Sequence, residues 1–222
     1  MIIRAKFEKK ADMRYIGHLD LMRTMQRAIR RANLPIAYSQ GYNPQQKMNF
    51  AMALALGMES EAEYMEVEMA EEVSRTSFMK QLNEALPAGI QILHAEKIED
   101  APKSLMSIVA WSRYAVAFPD EGKPADAETR IEAFLAEKEI WTTRRRKKKK
   151  QMVSKQVEIR QWVDTIEWVE DSQELVMMLK TGSNGNLKPE EVLPVLYPEM
   201  TMPNIRRLEI YCDTKQGRKP LL

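Results

Sequence analysis

Apolar and polar residues change period repeatedly along the chain, and each change marks an element. Ile3, Ala5 and Phe7 alternate with Arg4, Lys6 and Glu8, a period of two that predicts a strand. From Leu19 to Asn33 the period becomes helical. Met22, Met25, Ile29 and Ala32 recur on one face, and Asn33-Leu34-Pro35 ends the run. After a loop around Gly41, Phe50, Met52, Leu54 and Leu56 alternate with Ala51, Ala53 and Ala55. This predicts a strand closed by Gly57, although so many alanines also permit a helix. Met65, Val67 and Met69 alternate with Tyr64, Glu66 and Glu68, a third strand with an acidic outer face. Phe78, Leu82 and Ala85 mark a helix stopped by Pro87, and Ile90 to Ile98 makes a fourth strand.

The order βαββαβ is the ferredoxin-like supersecondary pattern, in which a four-stranded sheet carries both helices on one face and leaves the other open to a partner. Glu99 to Ser104, with Pro102, reads as a linker. A second set follows: a strand over Arg113–Phe118, and a helix over Ala127–Lys138 with Ile131, Phe134 and Leu135 inward. Strands over Ile140–Arg146 and Val153–Ile159 flank Lys147–Lys150. Then come a strand over Leu175–Lys180, a turn at Gly182-Ser183-Asn184-Gly185, a short helix over Pro189–Leu196 and a last strand over Ile205–Cys212. The expected class is α+β: two ferredoxin-like (βαββαβ) subdomains in tandem, with antiparallel sheets and helices on one face. The first spans 1–100 and the second 101–214. Residues 215–222 form a tail, extended or disordered. No sequence repeat accompanies this duplication of order.

Composition narrows the class. The 222 residues are 44% hydrophobic and 30% charged, a globular balance. No stretch approaches the roughly 20 apolar residues needed to span a bilayer, so no membrane association is expected. Charges interrupt the apolar residues of Met1–Glu8, so no signal-peptide core is expected there. The single cysteine, Cys212, excludes an internal disulfide and a cysteine-only zinc or iron–sulfur site within one chain. A reducing, cytoplasmic setting without metal or cofactor is the expectation. The net charge of +2 conceals an asymmetry. Residues 1–47 hold ten Lys/Arg and three Asp/Glu, and residues 48–100 hold three Lys/Arg and eleven Asp/Glu. A positive face and a negative face are implied, or two faces that neutralise each other.

Four features can carry chemistry. Arg23, Arg27, Arg30 and Arg31 stand at i, i+4, i+7 and i+8 on one helix face, with Arg14 and Lys47 in adjacent loops. Guanidiniums bind phosphate in a bidentate fork, so this stripe suits a polyanion. The alternative is a solvated face paired with Glu66 and Glu68. The stripe has few aromatic companions, so base stacking is not indicated. His18 follows Gly17 at the helix start, where the dipole disfavours the imidazolium and suits a general base; a structural cap or a packed ring is the other role open to it. His94 is expected to pack within its strand. The loop Tyr38-Ser39-Gln40-Gly41-Tyr42-Asn43-Pro44-Gln45-Gln46-Lys47 is dense in amides and hydroxyls. Its Tyr38, Ser39, Gln40, Tyr42 and Asn43 are candidate ligand contacts. Finally, Arg144, Arg145, Arg146, Lys147, Lys148, Lys149 and Lys150 form a run that repels itself and must be exposed, a hairpin tip anchored by Ile140, Trp141 and Val153 and attractive to nucleic acid. The phosphate loop, the dinucleotide fingerprint and the nucleophile elbow are all missing from the sequence.

The segments Arg14-Tyr15-Ile16-Gly17-His18-Leu19-Asp20, Arg31-Ala32-Asn33-Leu34-Pro35 and Tyr38-Ser39-Gln40-Gly41-Tyr42-Asn43-Pro44 occur in that order, followed by Leu56-Gly57, Ser60 and Glu63-Tyr64. Together they resemble the signature of a bacterial family, the radical-SAM-associated domain of unknown function. Glu158-Ile159-Arg160 and Leu187-Lys188-Pro189 resemble its weaker later signatures. The resemblance implies a protein that accompanies a radical-SAM enzyme. With one cysteine, this chain resembles the accompanying protein and not the enzyme. Gln45 stands where relatives often carry His, and Lys188 where they often carry Arg; the second exchange keeps charge and loses the fork. The expected function is an accessory protein that binds RNA or another polyanion for a radical-SAM partner. A metal-free ribonuclease using His18 and a protein–protein adaptor are the alternatives.

Overall fold

The computed structural model describes residues 1–99, 104–118, 124, 126–148, 151–199 and 203–222, with the backbone alone for 145–148 and 151. The protein is α+β with antiparallel strand pairing, and it divides into two units. One comprises Met1–Ala110 with Arg207–Leu222, the other Trp111–Arg206.

In the first unit the opening alternation becomes β1 (Ile2–Lys9), which buries Ile3, Ala5, Phe7 and Lys9 in turn. It pairs antiparallel with β3 (Glu59–Glu68) on one side and β4 (Ile90–Ile98) on the other. β2 (Met48–Phe50) joins the far edge of β3, opposite Met65–Val67. The strand expected over Phe50–Leu56 is therefore only its beginning. Ala51 N–H still donates to the Tyr64 carbonyl of β3 at 2.9 Å, and beyond it the backbone leaves the ladder: the Ala53 carbonyl accepts from Arg207 Nη2 at 3.4 Å, and Leu56 is exposed. Small side chains offered little cross-strand packing to hold the pairing.

Helices α1 (His18–Arg31) and α2 (Arg75–Ala85) cover one face of this sheet. Met25, Ile29, Phe78 and Leu82 pack there with Phe7, Met65 and Val67. The alternate residues of β3 point the other way. Ala62 and Tyr64 pack with Leu105 of the short helix α3 (Leu105–Ile108), with Ile210 of β10 (Asn204–Thr214) and with Leu221. Both faces of β3 are thus buried. The acidic outer face expected at Glu66 and Glu68 is not a solvent surface at Glu66, and the sheet face expected to be open to a partner is covered within the unit. The expected tail contains β11 (Gly217–Pro220), paired antiparallel with β10, and after it Leu221 is buried. Most of the linker around Pro102 lies outside the described residues.

In the second unit β5 (Trp111–Ala117), β9 (Glu174–Lys180) and β8 (Val163–Val169) pair antiparallel in that order. The alternation does not predict β8, because a bulge between Val163 and Thr165 sets its buried residues Val163 and Ile166 three apart. Helices α4 (Ala127–Ala136) and α5 (Pro189–Leu196) bring Ile131, Phe134, Val192 and Leu193 onto Met177 and Leu179. The expected hairpin is β6 (Trp141–Lys148) and β7 (Gln151–Glu158), a two-stranded sheet of its own. Of its anticipated apolar anchors only Ile140 is buried; Trp141 and Val153 are exposed.

Candidate functional site: the outer face of α1 and its flanking loops

α1 starts at Gly17, whose extended backbone lets its carbonyl accept from Leu21 N–H at 2.9 Å. Because Leu21, Met25, Ala28 and Ile29 turn inward, Arg23, Arg27, Arg30 and Arg31 turn outward, and all four are exposed. The acidic strand does not neutralise them. Glu66 accepts two hydrogen bonds from Arg4, Glu68 holds Lys47 at 2.9 Å, and Glu63 holds Arg207 at 2.8 Å. Among the described residues the one carboxylate paired with the stripe is Asp20, 3.2 Å from Arg23 and itself solvent-facing. Such a pair is worth little. Arg31 donates to the Ala85 carbonyl at the C-terminus of α2, 2.6 Å away, where the helix dipole favours a cation. Arg31 is therefore partly committed to structure, whereas Arg23, Arg27 and Arg30 are held loosely.

The polar loop folds as a small ordered hairpin beside this face. Ser39 N–H donates to the Gln45 carbonyl at 2.8 Å, Gln45 N–H donates back to Ser39 Oγ at 2.9 Å, and Tyr38 bridges Gln46. Gly41 takes φ 123°, a value that strains any side-chain-bearing residue and explains the glycine at the turn. Gln46 Nε2 donates to the Gln26 carbonyl and to Tyr38 Oη, both long bonds of 3.4 Å. Arg30 Nε donates to the same Gln26 carbonyl at 3.4 Å. The loop and the arginine stripe therefore meet at the middle of α1. Gln40, Tyr42 and Asn43 stand exposed at the hairpin tip.

At the other end of α1 lies the 3₁₀ turn Ala11–Tyr15. Arg14 sits 4.8 Å over the Tyr15 ring and 3.9 Å from Glu59. His18 is exposed, its ring edge-on to Phe50 at 5.5 Å. It is neither buried nor a side-chain cap of α1. His94, expected to pack, is also exposed and lies 3.1 Å from Glu96.

Beneath this turn lies a cluster that the sequence reading missed. Lys9 is 1% exposed and donates to the carbonyls of Ile16, at 3.1 Å, and Arg14, at 3.4 Å. Glu63 and Arg207 form a buried ion pair with both side chains 3% exposed. Burial holds the Lys9 ammonium below its ordinary pKa; Glu63 pulls the other way and Arg207 adds to the lowering. The signal for Lys9 was present, since it continues the inward phase of Ile3, Ala5 and Phe7. Arg207 gave none, because its partner is distant in the chain. Lys9 is thus a positioning residue for the segment that presents Arg14, Tyr15 and His18.

The second unit's cations behave differently. Arg144 makes a two-pronged pair with Glu191, donates to the Asn186 carbonyl at 2.5 Å, and lies 5.1 Å over the Trp162 ring. It anchors the base of the hairpin to the start of α5 and is not an open phosphate contact. Of Arg145, Arg146, Lys147 and Lys148 only the strand backbone is described, and Lys149 and Lys150 lie outside the described residues. The motif residues around Glu158 are structural. Glu158 accepts from Ile140 N–H and Arg160 N–H, and Arg160 donates to the carbonyls of Leu135 and Val163. Burial would raise the Glu158 pKa, but these backbone donors and Gln161 hold it below the ordinary carboxylate value. Lys188 donates its backbone N–H to Glu191 at 3.1 Å and precedes Pro189 at the first turn of α5.

Among the described residues there is no group of His, Cys, Asp and Glu able to hold a metal ion, and no helix long and apolar enough to cross a membrane. Residues 3–189 match the family described as an uncharacterized protein conserved in bacteria (DUF2344). No curated protein matches the sequence.

Proposed function

The chain belongs to the DUF2344 family, and we propose that it acts as an accessory protein to a radical-SAM enzyme, binding RNA or another polyanion on the outer face of α1. The observation that carries this reading is the outward array of Arg23, Arg27 and Arg30, joined at Gln26 by the Tyr38–Lys47 loop while the nearby carboxylates of β3 are occupied by Arg4, Lys47 and Arg207. An array with one exposed counter-charge keeps most of its field for a ligand. The radical-SAM partner rests on the resemblance of the Arg14–Asp20 and Tyr38–Pro44 segments and on the lone Cys212, which leaves cluster chemistry to another chain.

The same reading takes both units as ferredoxin-like. Strand order β4-β1-β3-β2 with α1 and α2 on one face supports it for the first. The succession β5-α4-β8-β9-α5, with the β6–β7 hairpin inserted after α4 and only the first residues of β10, Asn204–Arg206, within the unit, supports it in part for the second.

Filter binding with bacterial RNA tests the proposal. Affinity should fall steeply with salt, and each of Arg23→Ala, Arg27→Ala and Arg30→Ala should lower both the affinity and the salt slope. Binding indifferent to salt and to all three substitutions would sink the idea. Cleavage of that RNA in EDTA, abolished by His18→Ala, would move the assignment to a metal-free ribonuclease.

A further inference from the structure

Seven tyrosines are present, and their exposure is not evenly shared. Tyr64, Tyr114 and Tyr197 are buried, and Tyr211 is half-buried on β10. The three exposed ones all flank α1: Tyr15 at 59%, Tyr38 at 45% and Tyr42 fully in solvent. None of these rings contributes much to the core. Each nonetheless stands on an ordered backbone. Tyr15 closes the 3₁₀ turn whose carbonyls Lys9 holds. Tyr38 is bridged to Gln46, and Tyr42 crowns the hairpin locked by Ser39 and Gln45.

The positions of the rings relative to charge suggest what they meet. Tyr38 reaches the middle of α1 through Gln46 and the Gln26 carbonyl, the carbonyl that also takes Arg30 Nε. Tyr15 lies at the N-terminal end of the same helix, about 21 Å long, with the Arg14 guanidinium over one side of its ring. Exposed rings thus stand before the N-terminus of α1, the helix that carries the guanidiniums, and on the loop tied to its middle. Duplex RNA presents phosphates but keeps its bases stacked on one another, and would leave these rings idle. An unpaired strand presents phosphates to the arginines and base faces to the tyrosines at once, the combination used in sequence-tolerant single-strand binding. The chain itself sets these tyrosines just before and just after α1; what its pattern did not show is that all three rings stay exposed and that Gln46 ties the second segment back to the middle of the helix.

We infer that Tyr38 and Tyr42, with Tyr15, stack unpaired nucleobases, so that the polyanion bound along α1 is single-stranded RNA. This rests on the polyanion reading and adds the substrate class to it.

The test uses fluorescence anisotropy on the full chain with three probes: oligouridylate, a duplex RNA of the same length, and inorganic polyphosphate. Oligouridylate should bind more tightly than the duplex. Tyr42→Ala and Tyr38→Ala should each weaken oligouridylate binding roughly 5- to 100-fold and leave polyphosphate binding unchanged. Tyr42→Phe and Tyr38→Phe, which keep the ring, should restore it. Tyr42 is wholly exposed, so its removal does not threaten folding. Oligouridylate affinity unmoved by both alanine variants but reduced by Arg27→Ala would overturn the stacking inference and leave the polyanion reading standing. Preference for the duplex would do the same. No binding of any probe by the wild-type protein would remove both.

Discussion

The arginines of α1 and the arginine at the base of the β6–β7 hairpin belong to two cationic runs of similar prominence, and they are held in opposite ways. Arg23, Arg27 and Arg30 turn to solvent with one exposed carboxylate between them. Arg144 spends its donors on Glu191 and the Asn186 carbonyl and its flat face on Trp162. Arg207 is the extreme case, buried against Glu63. A cation's availability is therefore set by whether the fold brings a carboxylate and a carbonyl to it, not by how many cations surround it in the chain. Lys47 makes the same point at smaller scale, since its ammonium is taken by Glu68 and adds less free charge to the site than its position next to the loop suggested.

Stability measurements can break this division. Glu63→Ala should have the largest effect, about 3–5 kcal/mol in urea unfolding, because it removes the anion that pairs with buried Arg207 at 2.8 Å and offsets the charge of buried Lys9. A loss no greater than that of a surface substitution would refute the claim that these cations are committed. Glu191→Ala should cost about 2 kcal/mol. The pair with Arg144 is partly exposed, so the guanidinium can rehydrate, but α5 also loses the acceptor for Lys188 N–H.

Next comes a pH test on Tyr64. Burial first, and the 2.5 Å hydrogen bond to Glu209 second, push its phenol well above the ordinary 10.0. A group whose folded pKa is raised contributes stability that is present in full below its unfolded pKa and is lost as the pH climbs above it. Unfolding free energy should thus decline above pH 10. Tyr64→Phe should cost about 1 kcal/mol at neutral pH and flatten that alkaline decline; an unchanged slope would count against the assignment. The smallest effect belongs to the open stripe. Arg27→Ala should shift stability by within about 0.5 kcal/mol, since Arg27 makes no side-chain hydrogen bond or ion pair among the described residues and alanine favours the helix. That substitution would sharpen the contrast by separating binding from folding in one residue.

Much of the architecture was legible because burial imposes a period. β1, α1, α2, β4 and α5 follow from alternation or from helical spacing, and the termini Pro87 and Pro189 mark boundaries where the backbone cannot continue or prefers to begin. What escaped did so for local reasons. β8 carries a bulge that breaks the period. The alanine run after Phe50 had the alternation of a strand but not the side chains to hold one. The site divides in the same manner. The exposure of Arg23, Arg27 and Arg30 follows from the inward phase of Met25 and Ile29, and the order in the Tyr38–Lys47 loop follows from Gly41 and its amides. The commitment of Arg144 and the buried Lys9–Glu63–Arg207 cluster depend on partners far along the chain, while His94 is turned out beside a register shift in β4.

The sequence by itself determined which face of each regular element is apolar, and hence that α1 must turn its arginines outward. Periodicity is a local property, fixed by the backbone geometry of helix and strand. Only the tertiary structure decided which charges would be spent on one another and which rings would stay exposed. Pairing over 144 positions, as between Glu63 and Arg207, leaves no trace in local pattern, and neither does the meeting of Tyr38 and Gln46 with the middle of α1.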